Sequence, residues 1–188
     1  FLVAFLAVCG KLGAIDFVWD GASDADGDGT SWNDPLNWVQ DASYPGEVLA
    51  RIDTATINMA GATPHMDTAL VEWIDALTLS DGTLTLYLSQ GVDKFNMNGG
   101  TFNTDGALRN LTVRDDLTIS AGAVSNQITF VMTGVIGAPH TLDCAVDIQN
   151  LTINSGEAIT GTGLSNVLGT FTVANSAGVS FSSPVTAT

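Results

Sequence analysis

From Ile74 onward, hydrophobic and polar positions alternate along short runs that are separated by turn residues. Leu, Val, Ile and Phe occupy one set of alternating positions, and the residues between them are mostly Thr, Asn, Ser and Asp. Alternation with a period of two predicts half-buried β-strands, and turns such as Ser80-Asp81-Gly82 and Asn98-Gly99-Gly100 predict where those strands end. We predict strands near residues 74–79, 83–88, 93–97, 100–103, 108–113, 116–119, 128–132, 141–143, 146–153, 170–173 and 178–181.

One short phrase recurs within this pattern. It reads Ala-Leu-Thr-Leu-Ser at residues 76–80, Asn-Leu-Thr-Val-Arg at 110–114 and Asn-Leu-Thr-Ile-Asn at 150–154. A strand that returns at long, slightly irregular intervals is typical of an architecture in which each unit buries its apolar face against the next. The pattern therefore predicts an all-β chain in which residues 59–188 are the rungs of a right-handed parallel β-helix, or β-solenoid. A β-sandwich, which uses similar short strands and turns, is the alternative.

The start of the chain has the character of a leader. Residues 1–9 are apolar throughout and too few to cross a bilayer, which needs about 20 residues. They fit the apolar core of a secretory signal, with Leu12-Gly13-Ala14 as a small-residue cleavage site, so residues 1–14 are predicted to be part of a signal peptide. Two alternatives stay open: a lipoprotein processing site at 6–9, or a β-strand that residues 1–9 donate to a neighbouring subunit.

Residues 15–58 are rich in aromatic and Asp residues and are predicted to form an N-terminal cap. Trp19, Trp32 and Trp38 lie in this segment, which ends in an alternating stretch, 53–58, that predicts a strand. Because the end of a solenoid needs a cover, we interpret the three indoles as a packed lid over the first rung. A platform on which sugar rings stack is the alternative use of the same side chains.

The cap carries a recognisable series of motifs. They are Phe17-Val18-Trp19-Asp20-Gly21, Ser31-Trp32-Asn33-Asp34-Pro35-Leu36-Asn37-Trp38, Tyr44-Pro45-Gly46 and Asp53-Thr54-Ala55-Thr56-Ile57. The series resembles the N-terminal region of bacterial secreted β-helix surface proteins, including those like autotransporter passengers, and residues 130–153 resemble their strand repeats. The resemblance implies a β-helix fold and a role in adhesion, surface display or matrix formation. It carries over no catalytic residue.

Composition narrows the range of functions. The chain of 188 residues has 20 acidic and 5 basic residues, a formal net charge of −15, and only 13% charged residues. Phosphate binding needs clustered Lys and Arg, so this charge balance argues against nucleic acid and anionic membranes as partners. A low charged fraction with abundant Gly, Ser, Thr and Asn is typical of secreted β proteins. Cys144 is expected to be a core residue without a disulfide, because Cys9 would leave with the leader.

The segment from Asp24 to Thr30 is the main candidate for metal chemistry, since it reads Asp-Ala-Asp-Gly-Asp-Gly-Thr. Carboxylates at alternate positions followed by Gly let a tight loop surround a hard cation with oxygen ligands. We predict a structural Ca²⁺ site whose ligands are Asp24, Asp26, Asp28, Thr30 and Asp34. The alternative is a solvated Asp/Gly turn that binds no metal.

Carbohydrate-active lyases and hydrolases also use β-helix folds, so a polysaccharide lyase or glycoside hydrolase is the enzymatic alternative. The charged residues available for such chemistry are Lys94, Arg109, Arg114, Asp115, Asp116, Asp143 and Asp147. His65 and His140 each adjoin a Pro and are predicted to be solvated loop residues. The sequence has no Gly-x-Ser-x-Gly nucleophile motif, and we assign no catalytic residue.

The sequence therefore predicts a non-catalytic, secreted or cell-surface structural protein of the adhesin type, with further rungs after Thr188. Surface glycans or other copies of the chain are the expected partners, and no membrane span is expected in this sequence. The alternative within the structural class is a self-assembling extracellular filament subunit, joined through exposed rungs or a donated N-terminal strand.

Overall fold

The computed structural model describes residues 12–21, 27–49, 51–134, 140–164, 166–175, 178–181 and 186–187. Its regular structure is almost entirely β-strand, and the described residues include no α-helix, only one 3-10 turn at Pro35–Asn37. None of the described residues form a helix with the length and apolar character needed to cross a membrane. The strands stack as parallel coils and form a β-solenoid of about six turns, which confirms the predicted fold class.

The strands are short and follow one another closely along the chain. In chain order they are β1 (Leu12–Val18), β2 (Arg51–Ile57), β3 (His65–Met66), β4 (Ile74–Leu79), β5 (Thr83–Leu86), β6 (Gln90–Thr104), β7 (Arg109–Val113), β8 (Leu117–Val124), β9 (Ile128–Met132), β10 (His140–Cys144), β11 (Asn150–Asn154), β12 (Ala158–Leu164), β13 (Asn166–Val167), β14 (Phe171–Asn175), β15 (Gly178–Phe181) and β16 (Thr186–Ala187). The ladders between these strands are parallel, which excludes the antiparallel β-sandwich that was the alternative.

Strand β6 shows how one coil is built, because it contributes to three columns of strands. Residues 90–92 pair with β7, residues 95–97 pair with β4 and β8, and residues 101–104 pair with β5. We call the column that contains residues 95–97 face A, the column that contains residues 101–104 face B, and the column that contains residues 90–92 face C. Face A continues through β1, β2, β4, β8, β10, β12 and β15, face B includes β3 and β5, and face C continues through β7, β9, β11 and β14.

Inward side chains of all three faces meet in one continuous core. Phe95 on face A, Phe102 on face B and Phe130 on face C are fully buried, with ring centroids 4.9 to 6.1 Å apart. Above and below Phe95, face A repeats this inward position in register, through the buried residues Phe17, Ala55, Leu77, Leu117 and Leu142. Each coil therefore buries apolar surface against its neighbours, as the alternation predicts.

The recurring Leu-Thr phrase marks strands but does not mark the coil period. Leu77 lies on face A, whereas Leu111 and Leu151 lie on face C with Phe130 stacked between them. The interval between the last two phrases therefore spans two coils. The repeat is hidden in the sequence because β9 carries Phe at the position where β7 and β11 carry Leu.

The predicted strands differ from the structure on the later coils, where the short strands β13 and β16 were not predicted and two longer strands also differ. The strand predicted at 146–153 begins only at Asn150, and Ile148 before it forms an isolated bridge to Val167. Strand β12 was not predicted, because Gly161 and Gly163 interrupt its hydrophobic alternation. Hydrogen-bonded pairing with β10 on one side and β15 on the other stabilises the extended backbone of β12.

Strand β1 begins within the segment predicted as a signal peptide, residues 1–14. The Leu12-Gly13-Ala14 segment, interpreted above as a cleavage site, belongs to β1, which pairs in parallel with β2. Because β2 pairs in turn with β4, the two strands of the segment predicted as a cap, 15–58, share face A with the rungs. Residues 1–9, and with them the leader and donated-strand interpretations, lie outside the described residues.

Stacked glycines form the corner between faces A and B. Gly82, Gly100 and Gly122 have φ of 80°, 68° and 108°, the left-handed region that favours glycine. A Cβ on Gly100 would lie 2.7 Å from the carbonyl oxygen of Gly82, and a Cβ on Gly122 would lie 2.7 Å from that of Gly100. These turns, predicted from their glycines, therefore need glycine both for their conformation and for the close approach of successive coils.

Candidate functional site

Trp38 is the centre of the aromatic cap. Its ring packs edge-on against Trp32, Trp19 and Phe17, with centroid distances of 4.7, 5.0 and 5.9 Å. Its indole N–H donates to the carbonyl oxygen of Trp32 at 2.9 Å. All four side chains are buried, so the indole faces pack against one another and none is presented at the surface for a sugar ring.

Asp53 is a buried carboxylate whose role sequence reasoning missed. Its Oδ2 accepts a hydrogen bond from the backbone N–H of Gly46 at 2.9 Å, and Gly46 has a φ of 80°. The adjacent carbonyl of Pro45 accepts from the indole N–H of Trp32 at 3.1 Å. Asp53 and Trp32 thus hold the Pro45-Gly46 turn against β2 from two sides. Alternation places Asp53 on the same face as the buried Ala55 and Ile57, but the strand pattern could not show which groups its carboxylate would bind.

Asp28 closes a turn with both of its carboxylate oxygens. Oδ1 accepts from the backbone N–H groups of Thr30 and Ser31 at 2.8 and 2.7 Å and from the side-chain amide of Asn37 at 2.8 Å. Oδ2 accepts from the Ser31 hydroxyl. Burial by itself raises the pKa of this carboxyl, but the hydrogen bonds from Ser31, Asn37 and Thr30 outweigh it and hold the pKa well below the ordinary 3.8.

Asp34 joins the same turn to the 3-10 helix. Its Oδ1 accepts from the N–H of Leu36 at 3.1 Å, as an N-cap, and its Oδ2 accepts from the N–H of Asp28 at 3.1 Å. Among the described residues, no group of three or more His, Cys, Asp or Glu side chains is placed to hold a metal ion. Asp24 and Asp26 lie outside the described residues, so the Ca²⁺ site stays a prediction.

A second polar arrangement lies at the corner between faces C and A, and we call it the corner cluster (Asp93, Lys94, Arg114, Asp115 and His140). Asp115 binds in two directions: its Oδ2 lies 3.4 Å from Lys94 Nζ, and its Oδ1 lies 2.9 Å from His140 Nδ1. Lys94, Asp115 and His140 belong to three successive coils. The negative charge of Asp115, ahead of the opposing effect of burial, raises the pKa of the Lys94 ammonium.

Arg114 makes the other half of the corner cluster. Its guanidinium lies 2.5 Å from Asp93 Oδ1 and stacks over the indole of Trp73, 4.1 Å from the ring centroid. The Trp73 ring lies across Gly91, where a Cβ would come within 2.5 Å of it. Burial raises the pKa of Asp93, and the hydrogen bond and charge of Arg114 oppose that rise. Arg114 therefore links successive coils through its ion pair with Asp93 and its stacking on Trp73.

The prediction that His140 is a solvated loop residue is wrong. His140 is the first residue of β10 and is only 3% exposed. Its Nε2 is buried and has no hydrogen-bond partner among the described residues. The prediction failed because the partner that fixes the ring, Asp115, comes from the preceding coil. His65 also lies in a strand, β3, half-buried with its ring centroid 5.0 Å from that of Tyr87.

An Asp–His pair is a common acid–base arrangement, but access decides what it can do. The free nitrogen of His140 is buried and cannot receive a proton from a substrate at the surface in this conformation. Asp116 faces a different partner from Asp115, because its Oδ1 accepts from the N–H of Thr141 at 2.8 Å. The geometry of this corner is therefore that of an interlock between coils.

Arg109 and Asp147, two further charged candidates, make their contacts away from the corner cluster. Arg109 pairs with Asp105 at 2.5 Å within one loop, and Asp147 accepts from the side-chain amide of Asn166 at 2.7 Å. Cys144 is buried, and burial, aided by the charge of Asp143, raises the pKa of its thiol to about 12, so the thiol is protonated at neutral pH.

Comparison with known proteins returns no match to a family model, a curated protein or a solved structure.

Proposed function

We propose that this chain is a non-catalytic structural β-solenoid of a secreted or cell-surface protein, of the adhesin type. The main support for this proposal is that the charged side chains of the corner cluster pair with one another across coils. Asp115 binds Lys94 and His140, and Asp93 binds Arg114, each across coils. His140 is buried and Asp115, Lys94, Asp93 and Arg114 are all engaged with residues of neighbouring coils, which supports a structural use of these groups.

The outer surface supports display as the role of the solenoid. Outward positions of face A repeat polar side chains in register, as Thr78, Asn96 and Thr118 show. The chain carries a formal net charge of −15, which favours a solvated surface that resists aggregation. A regular polar face on a stack of coils offers the same groups repeatedly to a surface glycan, the class of partner we propose for adhesion.

Antibody labelling of intact cells tests the location. Antibodies raised against the purified chain should label intact cells or the medium, and mild external proteolysis should remove the cell-surface signal. Labelling that requires cell lysis would contradict the proposal. Binding of the purified chain to a glycan array, compared with an unrelated acidic β-protein, then tests the adhesin role.

The enzymatic alternative has a separate test at the corner cluster. Purified protein is incubated with uronate-containing and neutral polysaccharides, and new reducing ends or unsaturated products are measured. Turnover that Asp115→Asn abolishes and Asp105→Asn preserves would favour an enzyme. Our proposal predicts no turnover by either variant or by the wild-type chain.

The filament alternative joins copies of the chain through exposed rungs, which an edge strand with apolar inward positions permits. Light scattering separates the two structural roles, since a filament subunit forms polymers that grow with concentration and a solitary solenoid stays monomeric.

A further inference from the structure

Large apolar side chains are exposed at one corner of four successive coils. Leu49, Val71, Leu88 and Leu108 are 63%, 55%, 39% and 73% exposed. We call this set the apolar ridge. Contiguous exposed apolar surface on an otherwise polar protein marks an interaction site more often than single exposed residues do.

Backbone contacts place these residues on neighbouring loops. The N–H of Val71 donates to the carbonyl oxygen of Gly46 at 2.9 Å, which joins the first two loops, 44–49 and 67–73. The side-chain amide of Gln90 donates to the carbonyl oxygen of Thr68 at 2.8 Å, which joins the second to the third, residues 87–89.

The fourth loop, 105–109, follows in the same way. The N–H of Asn110 donates to Ser89 Oγ at 3.0 Å, and Asp105 donates its N–H to the carbonyl oxygen of Leu86 at 3.2 Å. Coils of a parallel stack are spaced by roughly 4.8 Å, so four loops place the apolar ridge over roughly 15 Å. That length suits a segment of polypeptide.

A small cavity opens beside Val71 of the apolar ridge, between the loops that carry Val71 and Leu88. Its volume is about 220 Å³, and Leu70, Val71, Glu72, Trp73, Ser89 and Gln90 contribute to its lining. Pockets for drug-sized ligands hold about 300–1,000 Å³. The cavity is therefore of a size to receive one anchoring side chain, the usual centre of a protein–protein contact.

The charges beside the apolar ridge select the kind of partner. The four loops carry Glu47, Asp67, Glu72 and Asp105 against a single basic residue, Arg109. Arg109 is already paired with Asp105. A second copy of the chain would bring the same carboxylates and the same net charge of −15 against them, which repels. A segment with Lys or Arg beside its apolar residues complements the ridge.

We propose that the apolar ridge is a docking surface for a partner protein, through a segment in which apolar side chains alternate with Lys or Arg. The apolar side chains cover Leu49, Val71, Leu88 and Leu108, and the cavity receives one of them. The basic side chains lie near Glu47, Asp67 and Glu72. This surface follows from the fold and its exposed residues, so it stands or fails independently of where the protein is displayed.

Fluorescence anisotropy with a short labelled peptide of alternating Lys and Leu tests the proposal. The double substitution Leu88→Ser with Leu108→Ser should weaken binding about tenfold or more, because it removes two of the four apolar contacts of the interface. Val39→Ser is the matched control, since Val39 is 56% exposed and lies outside the ridge. We expect this control to bind the peptide within about twofold of the wild-type chain, as surface changes away from a contact do.

Binding that the double variant leaves unchanged would overturn the proposal, and so would two further outcomes. A peptide of alternating Lys and Ser that binds as tightly as the Lys/Leu peptide would show that charge alone is responsible. Dimerisation of the wild-type chain by light scattering, lost in the double variant, would assign the ridge to a second copy. Thermal melts of the variants verify folding, which we expect to be unchanged because the substituted side chains are exposed.

Discussion

The imidazole Nδ1 of His140 lies 2.9 Å from Oδ1 of Asp115, across the boundary between two successive coils. The same carboxylate reaches Lys94 on the coil before it. One side chain thus connects three coils at a corner where their strands leave face C and enter face A. Because His140 is nearly fully buried, its hydrogen bond to Asp115 matters to stability more than a surface ion pair would.

Replacement of Asp115 by Ala should destabilise the solenoid by about 1–3 kcal/mol, because it leaves a buried imidazole nitrogen without its partner. Urea denaturation followed by circular dichroism measures the change in the free energy of unfolding. Asp105→Ala is the matched control, since it breaks an ion pair that lies within one loop and leaves no buried imidazole without a partner, and we expect a smaller change from it. Equal effects of the two substitutions would contradict the interlock.

Gly100, in the corner between faces A and B, can be compared with Gly106, in the loop 105–109 that leads to face C. Gly106→Ala meets an open space at a φ of 95° and should cost only the left-handed conformation, about 1–2 kcal/mol. Gly100→Ala adds a close contact with the carbonyl oxygen of Gly82, so its effect on the free energy of unfolding should be clearly larger. Similar losses from both, measured by urea denaturation, would show that coil spacing at this corner is relaxed.

The low pKa of Asp28 predicts a contribution to stability that depends on pH. As the pH falls, the unfolded chain binds a proton at Asp28 near 3.8, before the folded chain does. The contribution is therefore present above this value and is lost progressively below it. The difference in melting temperature between the wild-type chain and Asp28→Asn should shrink as the pH is lowered from about 5 to about 2. A difference that is constant over this range would contradict the assignment.

Calcium provides a separate prediction for the adjoining loop. If Asp24 and Asp26 complete the site predicted from the sequence, calcium raises the melting temperature and a chelator reverses the rise. Asp24→Ala combined with Asp26→Ala should abolish the calcium effect and leave the turn at Asp28 intact. Identical melts with calcium and with chelator would leave this segment as a solvated turn.

Sequence reasoning succeeded where a local pattern determines structure. Alternation predicted most strands of faces A and C, and the glycines of Ser80-Asp81-Gly82 and Asn98-Gly99-Gly100 predicted two bends of one corner, although the strands predicted at 93–97 and 100–103 form one continuous strand, β6. These features depend on neighbours in sequence, since strand periodicity and left-handed turns are both properties of a few consecutive residues.

Features that depend on the next coil could not be predicted in the same way. The burial of His140 follows from its stacking on Asp115, and β12 forms despite Gly161 and Gly163 because its neighbours supply the hydrogen bonds. The apolar ridge is also invisible in sequence, because Leu49, Val71, Leu88 and Leu108 look like isolated hydrophobic residues. Only the register of the coils shows that they share one corner.

Spin-label distances test the central claim, a stack of parallel coils in register, most directly. Thr78, Asn96 and Thr118 occupy one outward position on three successive coils of face A. With Cys9 and Cys144 replaced by Ala, labels at Thr78→Cys and Asn96→Cys should couple strongly, since adjacent coils are about 4.8 Å apart. Labels at Thr78→Cys and Thr118→Cys should couple measurably less, at about twice that backbone spacing. Equal coupling for both pairs, or none for either, would contradict the stacked solenoid.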